Sequence, residues 1–281
     1  MTSPTPPASF DPDAFADDVA ARRRAHVERA PSVDLAEAVV DGALALLFPA
    51  FAAERPGDVR VEVGRFRSLA RDLLAPVAPD HAEALADCLL AALPDLRERL
   101  EEDARATAAG DPAAESVEEV VLAYPGFTAT AVHRIAHALY GHGVPLVPRV
   151  LAEVAHRRTG VDIHPGAQIG RAFAVDHGTG VVIGETAVVG DRVRVFQGVT
   201  LGALFVDKGL ARTKRHPTVE DDVVLYANAT VLGGETVVGA GSVIGGNVWL
   251  TRSVPPGSVV THVARLRTQD GQTQAMPEYV I

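Results

Sequence analysis

From Ile163 to Leu250 an aliphatic side chain returns every six residues. It stands at Ile163, Ile169 and Val175, then at Ile183, Val189, Val195 and Leu201, then at Val219, Leu225 and Val231, and last at Val238, Ile244 and Leu250. Glycine often follows, as in Ile169-Gly170, Ile183-Gly184, Val189-Gly190, Val238-Gly239 and Ile244-Gly245. Such a period predicts a parallel β-helix in which each six-residue unit forms one flat side of a coil. The aliphatic side chain points inward and stacks on its equivalents in the neighbouring coils, so a continuous apolar core forms. Glycine suits the corners, where φ can be positive. Three interruptions break the phase: two extra residues between Val175 and Ile183, one near Val237-Val238, and an irregular stretch from Ala203 to Pro217. Loops thrown out of a solenoid cluster where repeat proteins bind, so these breaks are the first places to look for chemistry.

Before the repeat the apolar spacing is helical. Asp34 with Glu37 and Asp80 with Glu83 read as capping pairs. Leu85, Leu89, Leu93, Leu96 and Leu100 keep a helical period, with Pro94 expected to break or kink it. Val132, Ile135, Ala136 and Leu139 mark a helix after Pro125-Gly126, and another spans Val147 to Arg157, closed by Gly160. The expected organisation is α+β. A disordered Pro-rich stretch, 1–12, precedes an all-helical domain, 13–160; a β-helix follows at 161–256 and an extended tail at 257–281.

Composition narrows the function. The chain has 281 residues, 47% hydrophobic and 22% charged, with a net charge of −10, so it carries no general basic footprint for nucleic acid. No apolar run approaches a membrane span, and the first residues lack the features of a signal peptide, so a cytoplasmic protein is expected. The single Cys88 excludes an internal disulfide and is expected in a helix core. Only Lys208 and Lys214 are lysines, and both fall in the irregular loop.

Candidate chemistry lies in Val161-Asp162-Ile163-His164-Pro165, Val175-Asp176-His177-Gly178-Thr179-Gly180 and Lys214-Arg215-His216-Pro217. Asp162 and His177 are fifteen residues apart, which can place them near neighbouring corners of adjacent coils. A carboxylate beside an imidazole fixes its tautomer and suits a general base. Arg215 offers a planar fork for a carboxylate, and Asp176 a partner for an amine. Three histidines also invite a zinc reading, but each has an Asp or Arg beside it, and no metal is expected.

Together with Asp111-Pro112-Ala113 and Val182-Ile183-Gly184-Glu185-Thr186, these strings resemble serine O-acetyltransferase from about Asp111 to Pro256. Ala123-Tyr124-Pro125-Gly126-Phe127 resembles the branch with a long helical N-terminal domain. The resemblance implies a left-handed β-helix and transfer of acetyl from acetyl-CoA to L-serine in cysteine biosynthesis. It implies His177 as general base, Asp162 as its orienting carboxylate, and Asp111, Asp176, Arg215 and His216 as serine-binding residues. Ala203, Ala227 and Gly246 would meet acetyl-CoA through the backbone, and Lys208, Arg212 and Lys214 would meet its phosphates. It further implies a homotrimer or a dimer of trimers with sites shared between subunits, and feedback inhibition by L-cysteine. The ending Glu278-Tyr279-Val280-Ile281 resembles tails that bind O-acetylserine sulfhydrylase through the terminal Ile281. Leu201-Gly202-Ala203 departs from the Leu-Gly-Gly of many relatives, and the loop Leu204–Thr213 from their glycine-rich loop. Competing readings are a hexapeptide acyltransferase for another small acceptor such as homoserine, a β-helix carbonic anhydrase with clustered zinc ligands, and a scaffold that regulates the sulfhydrylase through its tail.

Overall fold

Three helices begin where a side chain can satisfy the first backbone N–H groups. Ser32 caps α2 (Val33–Leu47; α1 is Pro12–Val27) by accepting from Leu35 N at 3.3 Å. Asp58 caps α3 (Val59–Leu74) by accepting from Arg60 N at 2.9 Å. The long α4 (Ala82–Gly110) follows, and then α5 (Val117–Ala123), where Ser116 accepts from Glu119 N at 3.0 Å. Pro125 opens α6 (Pro125–Gly141) and Pro148 lies in the first turn of α7 (Val147–Thr159), positions where the missing N–H costs nothing. Gly160, at φ 72°, closes α7 in the left-handed conformation expected of it. This computed structural model describes residues 10–27, 30–52, 57–205, 213–262, 265–267 and 273–275. Residues 1–9 of the expected disordered start, Lys208 and Arg212, and the ending 276–281 with Ile281 lie outside the described residues.

Several local expectations are corrected. Ser32, not Asp34, caps α2, and Asp34 sits in its first turn. His81 precedes α4 without a side-chain capping bond, so Asp80 does not cap it. Helix α4 continues through Pro94, which lies on its exposed side where water can reach the carbonyl that proline leaves unbonded. Cys88 is exposed because it lies off the buried stripe of Leu89, Leu93, Leu96 and Leu100.

The repeat folds as a left-handed parallel β-helix of two- and three-residue strands. Its first coil is β1 (Asp162–Ile163), β2 (Gln168–Ile169) and β3 (Ala174–Val175); its second is β4 (Val182–Ile183), β5 (Val188–Val189) and β6 (Arg194–Val195). Next come β7 (Thr200–Gly202), β8 (Thr218–Val219) and β9 (Val224–Leu225), then β10 (Thr230–Leu232), β11 (Val237–Val238) and β12 (Val243–Ile244). The last turn has β13 (Trp249–Leu250) and β14 (Val259–Val260). Stacking gives three parallel faces: face one is β1-β4-β7-β10-β13, face two β2-β5-β8-β11, and face three β3-β6-β9-β12-β14. Register keeps the aliphatic column in phase, with Ile163 over Ile183, Ile183 over Leu201, and Leu201 over Val231. A second buried ladder lies two residues earlier, including Val161, Val181, Val199 and Ala229. In the segment expected to be an extended tail, Val259–Val260 still pair in parallel with Val243–Ile244, and β15 (Arg265–Arg267) pairs antiparallel with β16 (Thr273–Ala275).

The two halves are tied together at the first coil. Arg134 of α6 and Asp103 of α4 form a buried bidentate pair, with contacts of 2.7 and 2.8 Å. Arg134 also donates to the carbonyls of Ile169 and Gly170, and Asp103 accepts from Phe173 N at 2.9 Å. Gly126 lets α6 approach β3 closely: a Cβ there would lie 2.1 Å from the Val175 carbonyl oxygen. No helix among the described residues is long and apolar enough to cross a membrane.

Candidate functional site

At the corner between faces three and one, the two extra residues make a turn. His177 occupies the left-handed region, with φ 54°, followed by Gly178 at φ 85°. A non-glycine residue seldom adopts this conformation, and here it turns the imidazole outward, with 73% of the side chain exposed. Asp176 has its Oδ1 3.7 Å from His177 Nε2. Asp111, at the end of α4, comes to the same corner. Its Oδ2 accepts from Tyr124 Oη at 2.6 Å and its Oδ1 from Ala113 N at 2.8 Å. These bonds, with the nearby His177, hold the Asp111 carboxyl below the usual carboxylate range. The same bond pushes the Tyr124 phenol up to about 12. One edge of face one therefore carries Asp111, Tyr124, Asp176 and His177 together.

Its opposite edge, between faces one and two, carries the second cluster. His216 lies against Gly184, where a Cβ would sit 2.0 Å from the imidazole. Thr186 N donates to His216 Nδ1 at 3.1 Å, so the neutral ring carries its hydrogen on Nε2. Burial, with help from the adjacent Arg215 charge, lowers this imidazole to about 4. Arg215 pairs with Glu185, which also accepts from Tyr140 Oη at 2.9 Å. Burial pushes the Glu185 carboxyl upward, but the bonds from Arg215 and Tyr140 outweigh it and hold the group below its usual range. His164, lowered mainly by burial, contacts Tyr140 edge to face with centroids 6.0 Å apart.

Asp162 leads β1, and its Oδ1 accepts from Arg149 Nη1 at 3.3 Å. The expected Asp162–His177 pair is not among the hydrogen bonds of the described residues: Asp162 is met by Arg149, and the His177 ring is turned outward. Gly178 packs against Val161, so the two segments still lie side by side. Glu153, His156 and Asp162 could offer ligand atoms within 4.8 Å of one another, but Arg149 pairs with both Glu153 and Asp162 and supplies the positive charge there.

Three of the expected cofactor positions border face one. Ala227 and Gly246 precede β10 and β13, and Ala203 follows β7. A Cβ on Gly246 would lie 3.2 Å from the Ala227 carbonyl, so the corner is tight and flat. Lys214 has another occupation. Its ammonium donates to the carbonyls of Thr186, His216 and Pro217 at 2.8, 2.7 and 3.2 Å, using its three donors to hold the loop base. Tyr124, Tyr140 and Glu185 were not singled out as functional from sequence, although Tyr124 and Glu185 lie inside strings that carried the resemblance; a tyrosine beside a Pro-Gly helix start signals no chemistry until Asp111 is seen across from it.

No family model matches the chain. The plasmid serine acetyltransferase of Synechococcus elongatus is 53% identical over 199 residues, covering 69% of this chain and 62% of that protein. The chain thus spans less than two thirds of that relative's length. Serine acetyltransferase of Bacillus licheniformis is 45% identical over 189 residues, covering 64% of this chain and 85% of that one. Among solved structures, serine acetyltransferase isoform 3 of Entamoeba histolytica, in complex with cysteine, superposes with a TM-score of 0.73 at 36% identity, covering 83% of this chain and 84% of that chain. The Neisseria gonorrhoeae serine acetyltransferase complex with serine gives 0.58 at 26% identity, over 98% and 100% of the two chains. The Brucella abortus enzyme in complex with coenzyme A gives 0.59 at 29% identity, over 94% and 90%.

Proposed function

The chain belongs to the serine acetyltransferase family, and on that premise we propose that it transfers the acetyl group of acetyl-CoA to the hydroxyl of L-serine. The observation that carries this reading is the pair of complementary clusters on opposite edges of one β-helix face. Asp111 and Asp176 offer carboxylates for an ammonium, with His177 beside them; Arg215 and the Nε2–H of His216 offer donors for a carboxylate. Together they match the head group of an amino acid and put a base next to its side-chain hydroxyl. In a threefold ring the His177 edge of one copy meets the Arg215 edge of the next, so the site is completed between subunits.

His177 accepts the serine hydroxyl proton as the oxygen attacks the thioester carbonyl. The tetrahedral adduct collapses, the C–S bond breaks, and the leaving thiolate takes the proton back from the imidazolium. Products are O-acetylserine and coenzyme A, and His177 returns to its neutral form. In this reading Asp162, whose segment lies beside the His177 turn through the Val161–Gly178 contact, is the carboxylate that orients the ring. The Brucella relative's coenzyme A complex supports the choice of donor. L-cysteine shares serine's head group and competes at the same site, in line with the cysteine complex of the Entamoeba relative.

Thiol release from acetyl-CoA, measured with L-serine and with a panel that includes homoserine, tests the reading. Serine-dependent release is expected, and His177→Ala should lower kcat by about 10²–10⁴ without moving the unfolding midpoint. Release with another acceptor and none with serine would overturn the substrate. An extra methylene discriminates by only about 1–3 kcal/mol in a plain pocket, so the preference over homoserine comes from head-group placement.

A further inference from the structure

Face one is a lane without charge between its two ends. Its outward column runs from Asp162 through Val182, Thr200 and Thr230 to Trp249, each in register with the next. In the flanking column His216 packs over Gly184 and Leu232 over Gly202, and at that edge of the face a groove of about 410 Å³ is lined by Lys214, Arg215, Gly233, Glu235 and Thr251. At the far end stands Trp249, the chain's only tryptophan, with 70% of its surface exposed. A large aromatic on a solenoid face has little reason to face water unless something covers it.

Resting on the acetyl-CoA reading above, we infer that Trp249 is the stacking platform for the adenine of the acetyl donor. His177 lies at the level of β4, and Trp249 at β13, three strand spacings on. At the usual inter-strand distance that is roughly 14 Å. The pantetheine arm of a CoA thioester spans such a gap, so a thioester at His177 leaves its nucleotide at the indole. The lane suits an anionic ligand on a chain of net charge −10, because no carboxylate interrupts the outward column between Asp162 and Trp249. Arg252, exposed three residues further along, brings positive charge to the same end. Ala227 and Gly246 keep the near corner flat for the arm's approach.

Because Trp249 is the only tryptophan, its fluorescence reports this site alone. Titration of the full chain with coenzyme A and with adenosine 3′,5′-bisphosphate should quench the emission, while S-acetyl-N-acetylcysteamine, which lacks the nucleotide, should leave it unchanged. Calorimetry provides an independent measure of coenzyme A binding. Trp249→Ala should weaken binding about tenfold, the scale of losing one base stack, and Trp249→Phe should restore most of it. Coenzyme A binding by calorimetry with an unmoved emission, or an unchanged affinity in Trp249→Ala, would overturn the adenine platform and leave the acetyltransferase reading standing. Loss of the oligomer in Trp249→Ala, with the affinity per assembled site unchanged, would assign the indole to a subunit contact instead. Absence of any coenzyme A binding would overturn both.

Discussion

Tyr124 shows how one hydroxyl can tune a carboxylate, here Asp111, which the proposed function assigns to the serine ammonium. It donates to Asp111 at 2.6 Å, while Ala113 N takes the other oxygen, and both bonds favour the ionised form. Removing a bond to the charged form raises the carboxyl pKa. In Tyr124→Phe the acid limb of kcat/KM for serine should therefore shift to higher pH. KM for serine should rise several-fold, with kcat changed less, because the phenol acts through Asp111 and not on the reacting atoms. An unmoved acid limb would show that Tyr124 is only packing. His216 works the opposite way: at about 4, its imidazole is neutral through the physiological range and presents a fixed Nε2–H. Most of these residues could be picked out from the chain, since His177, Asp176, Arg215 and His216 sit at breaks in a regular period. Tyr124 could not, because its partner is thirteen residues away and the contact forms only when α5 folds back between them.

At the scale of elements, the buried Asp103–Arg134 pair joins α4, α6 and the first coil. That connection sets where Asp111, at the end of α4, stands relative to His177. Taking one partner away strands a buried charge and should cost about 3–5 kcal/mol. Arg134→Met or Asp103→Asn should lower the urea midpoint accordingly, whereas replacing both by apolar residues of similar size should recover much of the loss. A single variant with wild-type stability would contradict the assigned role. The β-helix was readable because its side-chain period is strict and local, and each inward position repeats the same demand. The helix starts were less readable: Asp34 and Asp80 resembled caps, but Ser32 and His81 precede the helices, since capping depends on backbone angles that a residue list does not contain. The contacts of Lys214 were hidden for a related reason, because a lysine in a loop looks solvated until three carbonyls are found around it.

For the whole molecule, one chain presents the two clusters on opposite edges of face one, which the proposed function reads as two half-sites. In the proposed trimer, joining opposite edges of face one from neighbouring copies would unite Asp111, Asp176 and the base His177 with Arg215 and His216. Assembly was the part least legible in the sequence, because a hexapeptide period specifies the prism and says little about which of its faces meets a neighbour. The most direct test is serine-dependent thiol release by mixed oligomers of His177→Ala and Arg215→Ala, each inactive alone. If sites are shared between subunits, random mixing should restore activity at about one site in four. Mixed oligomers that form, verified by native mass spectrometry, and yet remain as inactive as either parent would contradict the shared site and the account of catalysis built on it.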